Sequence, residues 1–322
     1  MTTVKSAHLG GTGLVISEVA LGTMTWSRDT DDGSAAEMLR MFLDAGGTLV
    51  DTSCTYAGGG AEILLGELLR TEVSRDDILL ATKAGIRTTS TGGVVDASRG
   101  TLLQNLDTSL ARLGTDYVDL WLVGTLDPRT PIDETLSALT YAVSSGRARY
   151  AGLSNYPGWA TAYAASLARA QGWPLAAVEV EYSLLERGIE REVVPAAAAL
   201  GLGVLAWAAL GRGVLTGKYR RTVPADSRAA SPHLAGFVQP YLDDRAAAIV
   251  EAVVVAAEGL DCQPLDVALA WVRTLADSAI VGPRNPAQLR AILAGIEVEI
   301  PDELWDALDE VSRPAIGYPE RR

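Results

Sequence analysis

The sequence predicts an α/β fold in which eight parallel strands, each followed by a helix, close into a (β/α)8 barrel of the TIM type. Three observations lead there. Short β-branched runs alternate with longer Ala/Leu/Glu/Arg-rich stretches of helical period along nearly the whole chain. These units number eight, at which a parallel sheet closes on itself, with an open doubly wound sheet as the rival arrangement. The strand runs are almost continuously apolar, as strands covered on both faces must be.

The elements follow in order. LGGTGLVIS (9–17) reads as a short hairpin with a Thr-Gly turn ahead of the barrel. Its GGTG is no dinucleotide fingerprint, because no G-x-G-x-x-G follows and no clear strand precedes it. Strands are expected at VALG (19–22), TLVD (48–51), ILLAT (78–82), YVDLWLV (117–123), ARYAGL (148–153), AAVEVE (176–181), GVLAW (203–207) and SAIVG (278–282). Helices are expected near 33–45, 61–70, 98–112, 132–145, 158–171, 189–200 and 264–275, with a last one in PAQLRAILAG, where Pro sits in the first turn. The connection from Arg212 to about Pro264 exceeds what a crossover needs. Its PADSRAASPHLAGF portion is turn-rich and YLDDRAAAIVEAVVVAAEG (241–259) is helical in pattern, which predicts an excursion over the barrel mouth. Residues 1–322 are expected to form a single barrel domain.

Composition narrows the function. With 322 residues, 48% hydrophobic and 21% charged, the chain can bury one large core. A formal charge of −13, from 40 acidic against 27 basic residues, disfavours nucleic acid and anionic membranes as partners, while leaving room for a local basic pocket. MTTVKSAHLGG has no apolar signal core, and the Ala/Val-rich stretches are interrupted before membrane-spanning length, so a cytoplasmic protein acting on a small molecule is expected. Cys54 and Cys262 make no disulfide framework, and His8 and His233 lie in no ligand-rich spacing, so no metal is expected. A homo-oligomer is compatible with the sequence, which does not fix the assembly.

In such a barrel, chemistry gathers at the C-terminal strand ends. Asp51 ends the second strand, Tyr56 follows in DTSCTYAGGGAE, and Lys83 ends the third. A phenol is a poor acid at neutral pH. A neighbouring ammonium favours its ionised form, and a carboxylate can hold that ammonium charged and in place. The trio therefore reads as a proton relay around Tyr56. Ser154 and Asn155, in GLSNY, form a donor–acceptor fork for a carboxamide, or a helix cap. Glu179 is a carboxylate within an apolar strand and needs a partner, either a ligand amide or an Arg. Trp207 is a core residue or a platform for a flat ring. Gly282 and the helix start after it are suited to an anion, with Arg284 and Lys218 as cations.

Together the ordered motifs LGGTGLVISEVALGTM, LVDTSCTYAGGGAE, ATKAG, YVDLWLV, GRARYAGLSNY, EYSLLER, GRGVLTGKY and IVGPRNPAQL closely resemble the aldo-keto reductase family, in its bacterial branch related to potassium-channel β-subunits. The resemblance spans nearly the whole chain. It implies extended binding of NADPH/NADP+ and hydride transfer to a carbonyl carbon, with a Tyr as general acid. It assigns catalysis to Asp51, Tyr56 and Lys83. Cofactor contacts fall to Gly22, Thr23, Met24, Asp51, Ser154, Asn155, Glu179 (where the family has Gln), Trp207, Leu210, Gly213, Lys218, Gly282, Arg284 and Gln288. The residues that close on adenine in the family align with Ala291 and Ile292, which weakens that grip.

The family's catalytic His aligns, without gaps through YVDLW, with Gly124. Losing an oriented polar contact at a reacting oxygen costs on the order of 2.7–4 kcal/mol, so a bulky substrate that fills the vacated space is expected. Trp26, Tyr56, Ile86, Gly124, Leu126, His233 and Phe237 are the expected pocket walls. His233 either replaces the imidazole or is a solvent-facing loop residue, and Cys54 is expected to be a buried thiol or pocket lining rather than a nucleophile. Three readings stay open: reduction of a specialised, natural-product-like carbonyl, reduction of an activated C=C or C=N bond, and a cofactor-binding partner or sensor with little turnover.

Overall fold

The computed structural model describes residues 3–89, 92–225, 227–315 and 317–318. A hairpin of β1 (Ser6–His8) and β2 (Val15–Ser17) opens the chain. The barrel is built from β3 (Val19–Gly22), β4 (Leu49–Asp51), β5 (Leu79–Ala84), β8 (Val118–Val123), β9 (Ala148–Ser154), β10 (Ala177–Glu181), β11 (Gly203–Trp207) and β12 (Ser278–Val281), all parallel and closed in that order, β12 against β3. An antiparallel hairpin, β6 (Ile86–Thr89) and β7 (Gly92–Val95), follows β5 where the sequence indicated only loop. Ser90 and Thr91, after the third barrel strand, and Asp226, in the PADSRAASPHLAGF portion of the excursion, lie outside the described residues.

The helices are α1 (Asp32–Asp44), α2 (Gly60–Thr71), α3 (Arg99–Leu113), α4 (Ile132–Ser144), α5 (Gly158–Ala170), α6 (Val193–Leu200), α7 (Ala235–Val238), α8 (Asp244–Gly259), α9 (Pro264–Val272), α10 (Pro286–Ala294) and α11 (Asp302–Ser312). Local chemistry sets several of their starts. Asp31, Asp243 and Asn285 accept the N–H groups of Ser34, Ala246 and Gln288, and Gln263 and Asp266 form a reciprocal capping box. The helix expected over 189–200 is broken at Glu192, leaving a 3₁₀ turn before α6. The amphipathic α11 has no counterpart in the sequence reading. It is fastened by buried Arg187, which donates to Asp309 (2.6 Å) and Ser312.

Two apolar layers result. Alternation along the strands sends Ala20, Leu49, Ala81, Leu120, Leu122, Ala177, Leu205 and Ile280 into the barrel interior, while their neighbours pack against the helical coat. The first hairpin plugs the floor with Leu9 and Ile16. Its turn is made at Gly10–Gly11 rather than at Thr-Gly. Gly10 has φ +52°, and a Cβ there would lie 2.3 Å from the backbone N of Gly203, so only glycine allows the hairpin to seat. Above Leu49, Ala81, Leu122 and Ala177, the same alternation places Asp51, Lys83, Gly124 and Glu179 at the mouth.

Candidate active site

A cavity of about 500 Å³ runs across the mouth, from Asp51, Tyr56 and Lys83 past Ser154, Asn155, Glu179 and Trp207 to Arg284 and Gln288. At its inner end the Lys83 ammonium lies 2.5 Å from Asp51 and 3.1 Å from Glu179, and 5.6 Å from the centre of the Tyr56 ring. The three charged side chains come from β5, β4 and β10, and all are buried.

Burial works against the charge on Lys83, but Asp51 and Glu179 more than offset it and hold its pKa above the ordinary lysine value. Burial raises the Asp51 carboxyl despite Lys83, and burial followed by the charge of Asp51 pushes Glu179 up to about 8. The Tyr56 phenol is also held above its ordinary value, by burial that outweighs the ammonium. Lys83 does favour the phenolate, as the sequence indicated, but burial and the charges of Asp51 and Glu179 outweigh it. The second carboxylate, Glu179, neutralises part of the field meant for the phenol.

The Tyr56 loop is aimed by its backbone. Ala57, Gly58 and Gly59 have φ of +50°, +66° and +98°, turning the chain sharply into α2. A Cβ on Gly59 would lie 2.2 Å from the Arg112 guanidinium, which donates to the Cys54 carbonyl (3.0 Å) and pairs with buried Glu62 (3.1 Å). Burial, with Glu62 adding, pushes the Cys54 thiol up to about 11, so it is no ready nucleophile.

The Asn155 amide is already engaged. It donates to the Gly124 carbonyl (2.9 Å) and to Ser154, and accepts from the Trp207 indole (3.0 Å). Asn155 thus ties three strand mouths together rather than offering an open fork. Phe237, from the excursion, lies nearly parallel to Trp207 with centroids 6.4 Å apart. Arg212 holds it there: the guanidinium pairs bidentately with Glu181 (2.7 and 2.5 Å), donates to the Phe237 carbonyl (2.6 Å) and sits 4.1 Å from the Phe237 ring centre.

At the outer end Arg228 is half-buried, donates to the Gly282 carbonyl (2.7 Å), and leaves its buried Nε without a hydrogen-bond partner. Burial, then the charge of Arg284, lowers its pKa. A Cβ on Gly213 would meet Lys218 Nζ at 3.3 Å and Arg228 at 4.0 Å, so these cations share one wall. An orphaned guanidinium N–H beside two further cations fits a phosphate-bearing ligand. The start of α10 is less available than the sequence indicated. Asn285 caps it, and the Arg284 N–H is taken by the Gln288 side chain (2.9 Å).

Of the expected cofactor residues, Gly22, Met24, Asp51, Ser154, Asn155, Glu179, Trp207, Leu210, Gly213, Lys218, Gly282, Arg284 and Gln288 line the cavity, while Thr23 is buried beneath it and donates to the Asp51 carbonyl. Ala291 and Ile292 line it too. Among the expected substrate walls, Tyr56 and Phe237 line it and the others do not. Trp26 is fully buried in the core, and Leu126 packs against that core from the surface side. Ile86 opens the β6–β7 hairpin. His233 is held at the surface by Asp29 (2.9 Å) and Ser231 (3.1 Å), so its imidazole does not stand in for a catalytic one. At Gly124 a Cβ would meet the Ala84 carbonyl at 3.2 Å and Lys83 Cβ at 3.9 Å, and nothing else within 4 Å. Arg212 and Arg228 escaped the sequence reading. The one signal was an Arg inside a long loop otherwise made of small and turn-forming residues.

Residues 18–313 match the model of the aldo/keto reductase family. The chain belongs to that family. This aldo/keto reductase is 33% identical over 320 residues to the uncharacterized oxidoreductase YrpG of Bacillus subtilis (strain 168), covering 96% of each chain. It is 30% identical over 295 residues to the aldo-keto reductase YhdN of the same organism, covering 90% of this chain and 88% of that one. It is an oxidoreductase. No described helix of this reductase is long and apolar enough to cross a membrane.

Proposed function

We propose that this oxidoreductase uses NADPH to reduce a carbonyl group on a bulky, specialised small molecule of natural-product type, in the cytoplasm. The observation that carries the reading is the course of one cavity. It joins the Asp51–Lys83–Tyr56 cluster at one end to the Lys218, Arg228 and Arg284 wall at the other. That span suits a dinucleotide whose phosphates meet the cations and whose nicotinamide lies against Trp207, Ser154 and Asn155. Arg228 and Arg284 support preference for a 2′-phosphate, hence NADPH over NADH.

When bound, the cofactor supplies the hydride. The protein's part is the proton. Tyr56 stays protonated throughout the neutral range, since its pKa lies above the ordinary phenol value. A phenol remains a much stronger acid than the alcohol formed from a carbonyl, so it can donate to the developing alkoxide. Lys83 stabilises the resulting phenolate, and Asp51 keeps Lys83 charged and oriented. Phe237, held by Arg212, covers the Trp207 side and excludes water. The lack of a side chain at Gly124, two residues beyond inward-facing Leu122, supports a substrate whose own bulk takes the place of an imidazole.

NADPH titration by fluorescence followed by product analysis on a panel of carbonyls, enones and imines tests the reading. Alcohol products with Tyr56-dependent turnover are expected. Exclusive saturation of C=C or C=N bonds would move the assignment to that chemistry, and binding with no turnover would leave a cofactor-binding protein.

A further inference from the structure

Two carboxylates share one ammonium at the inner end of the cavity. Asp51 and Glu179 converge on Lys83 from opposite sides of the barrel, at 2.5 and 3.1 Å, and the three side chains are no more than 9% exposed. Fully ionised, the trio carries one negative charge in excess. On the strands beside Glu179, the register sets Ser154 of β9 and Leu205 of β11 level with it, and neither is charged. Trp207, one inward position further along β11, is uncharged, and Glu181, its counterpart on β10, is committed to Arg212. Among the described residues lining this end, Tyr56 and the Arg212 already paired with Glu181 are the other titratable groups. Glu179 therefore presents surplus negative charge to the wall formed by Ser154, Asn155 and Trp207.

We propose that Glu179 is the charge complement of the oxidised cofactor, binding a proton when the ring beside Trp207 is neutral and releasing it to solvent when that ring is cationic. The inference rests on the nicotinamide end lying at Trp207, as read above. No electrons pass through the trio; one O–H bond on Glu179 breaks or forms. Of the two acids, Glu179 is the one to exchange the proton, because it makes the longer contact with Lys83, 3.1 Å against 2.5 Å for Asp51. Burial, then the Asp51 charge, pushes Glu179 up to about 8, which puts the exchange near neutrality. Above that range its carboxylate is charged and favours NADP+, and below it the preference fades. An amide of the same length keeps the hydrogen bonding and loses the charge, which makes Glu179→Gln the informative variant.

Calorimetric titration of the wild-type protein and Glu179→Gln with NADP+ and with NADPH tests this, in buffers of differing ionisation enthalpy and from about pH 6 to about pH 9. The 2′-phosphate titrates equally for both cofactors, so its contribution cancels in their difference. In the wild type, NADP+ binding should release more protons than NADPH binding. The affinity ratio NADP+/NADPH should rise with pH by on the order of tenfold across the range, with a limiting slope of about tenfold per pH unit. In Glu179→Gln both differences should vanish, and NADP+ affinity should fall several-fold while NADPH affinity holds. Equal proton counts and parallel pH profiles in the wild type would overturn the proposal, a result that does not depend on the variant folding. Failure of both cofactors to bind would instead overturn the cofactor reading beneath it.

Discussion

Replacing Lys83 with Met removes the ammonium while keeping an apolar side chain of similar length. The carboxylates it joined, on side chains 4% and 2% exposed, must then take protons or stay charged in a poorly solvated wall. Protonation caps the cost. For Asp51, with an ordinary value of 3.8, it is about 1.4 kcal/mol per pH unit, or about 4 kcal/mol at pH 7 and about 1.5 kcal/mol at pH 5. Glu179, already pushed up to about 8, holds much of its proton beforehand and adds little. The pH 7 figure falls within the roughly 3–5 kcal/mol typical of breaking a buried pair. Both acids have folded-state values above their unfolded ones. The unfolded chain therefore binds fewer protons, and the variant loses stability as pH rises from the unfolded carboxyl range through the raised one. Urea unfolding followed by the fluorescence of the seven tryptophans, at both pH values, reads this out. Adding Glu179→Gln should recover little of the loss, which falls on Asp51. A Lys83→Met protein as stable as wild type at pH 7, or equally penalised at both, would refute the trio as described.

Tyr56→Phe should lower turnover by about 10²–10⁴ while leaving NADPH affinity nearly unchanged, measured by stopped-flow and fluorescence titration. Arg228→Met should weaken NADPH binding by about 10- to 150-fold, equivalent to about 1.5–3 kcal/mol for charge-assisted hydrogen bonds. Arg284→Ala should narrow the gap between NADPH and NADH in the same titration. Arg212→Ala should free the segment carrying Phe237, read as faster hydrogen exchange over 233–241 with the barrel strands still protected.

The barrel was legible because two independent periods agree. Strands such as VDLWLV and AVEVE are apolar enough to be buried on both faces, and the stretches between them have helical spacing. The inner end of the site was legible for the same reason: each of Asp51, Lys83, Glu179 and Trp207 stands an even number of residues above an inward-facing core position. What stayed hidden depends on distant partners. His233 meets Asp29 and Arg228 meets Gly282, across separations that no local pattern encodes. Trp26 looked like a pocket wall by its place after the first strand, yet it is wholly enclosed. The direction of the Tyr56 shift could not be read from Lys83 alone, because it reflects burial and a second acid ninety-six residues further on. The β6–β7 hairpin was obscured by the glycines of GGVV, which carry little strand propensity.

The most direct measurement is NADPH consumption by the wild-type protein and Gly124→His, over multiple turnovers, on matched small and bulky carbonyl substrates with identification of the products. A Cβ at Gly124 would meet the Ala84 carbonyl at 3.2 Å, so the end of β5 must give by a few tenths of an ångström to admit the imidazole. The account predicts alcohol products from bulky substrates in the wild type. In Gly124→His it predicts a gain on small aldehydes of up to about 10²–10³ together with a loss on the bulky ones. No alcohol from either protein despite tight NADPH binding would contradict it.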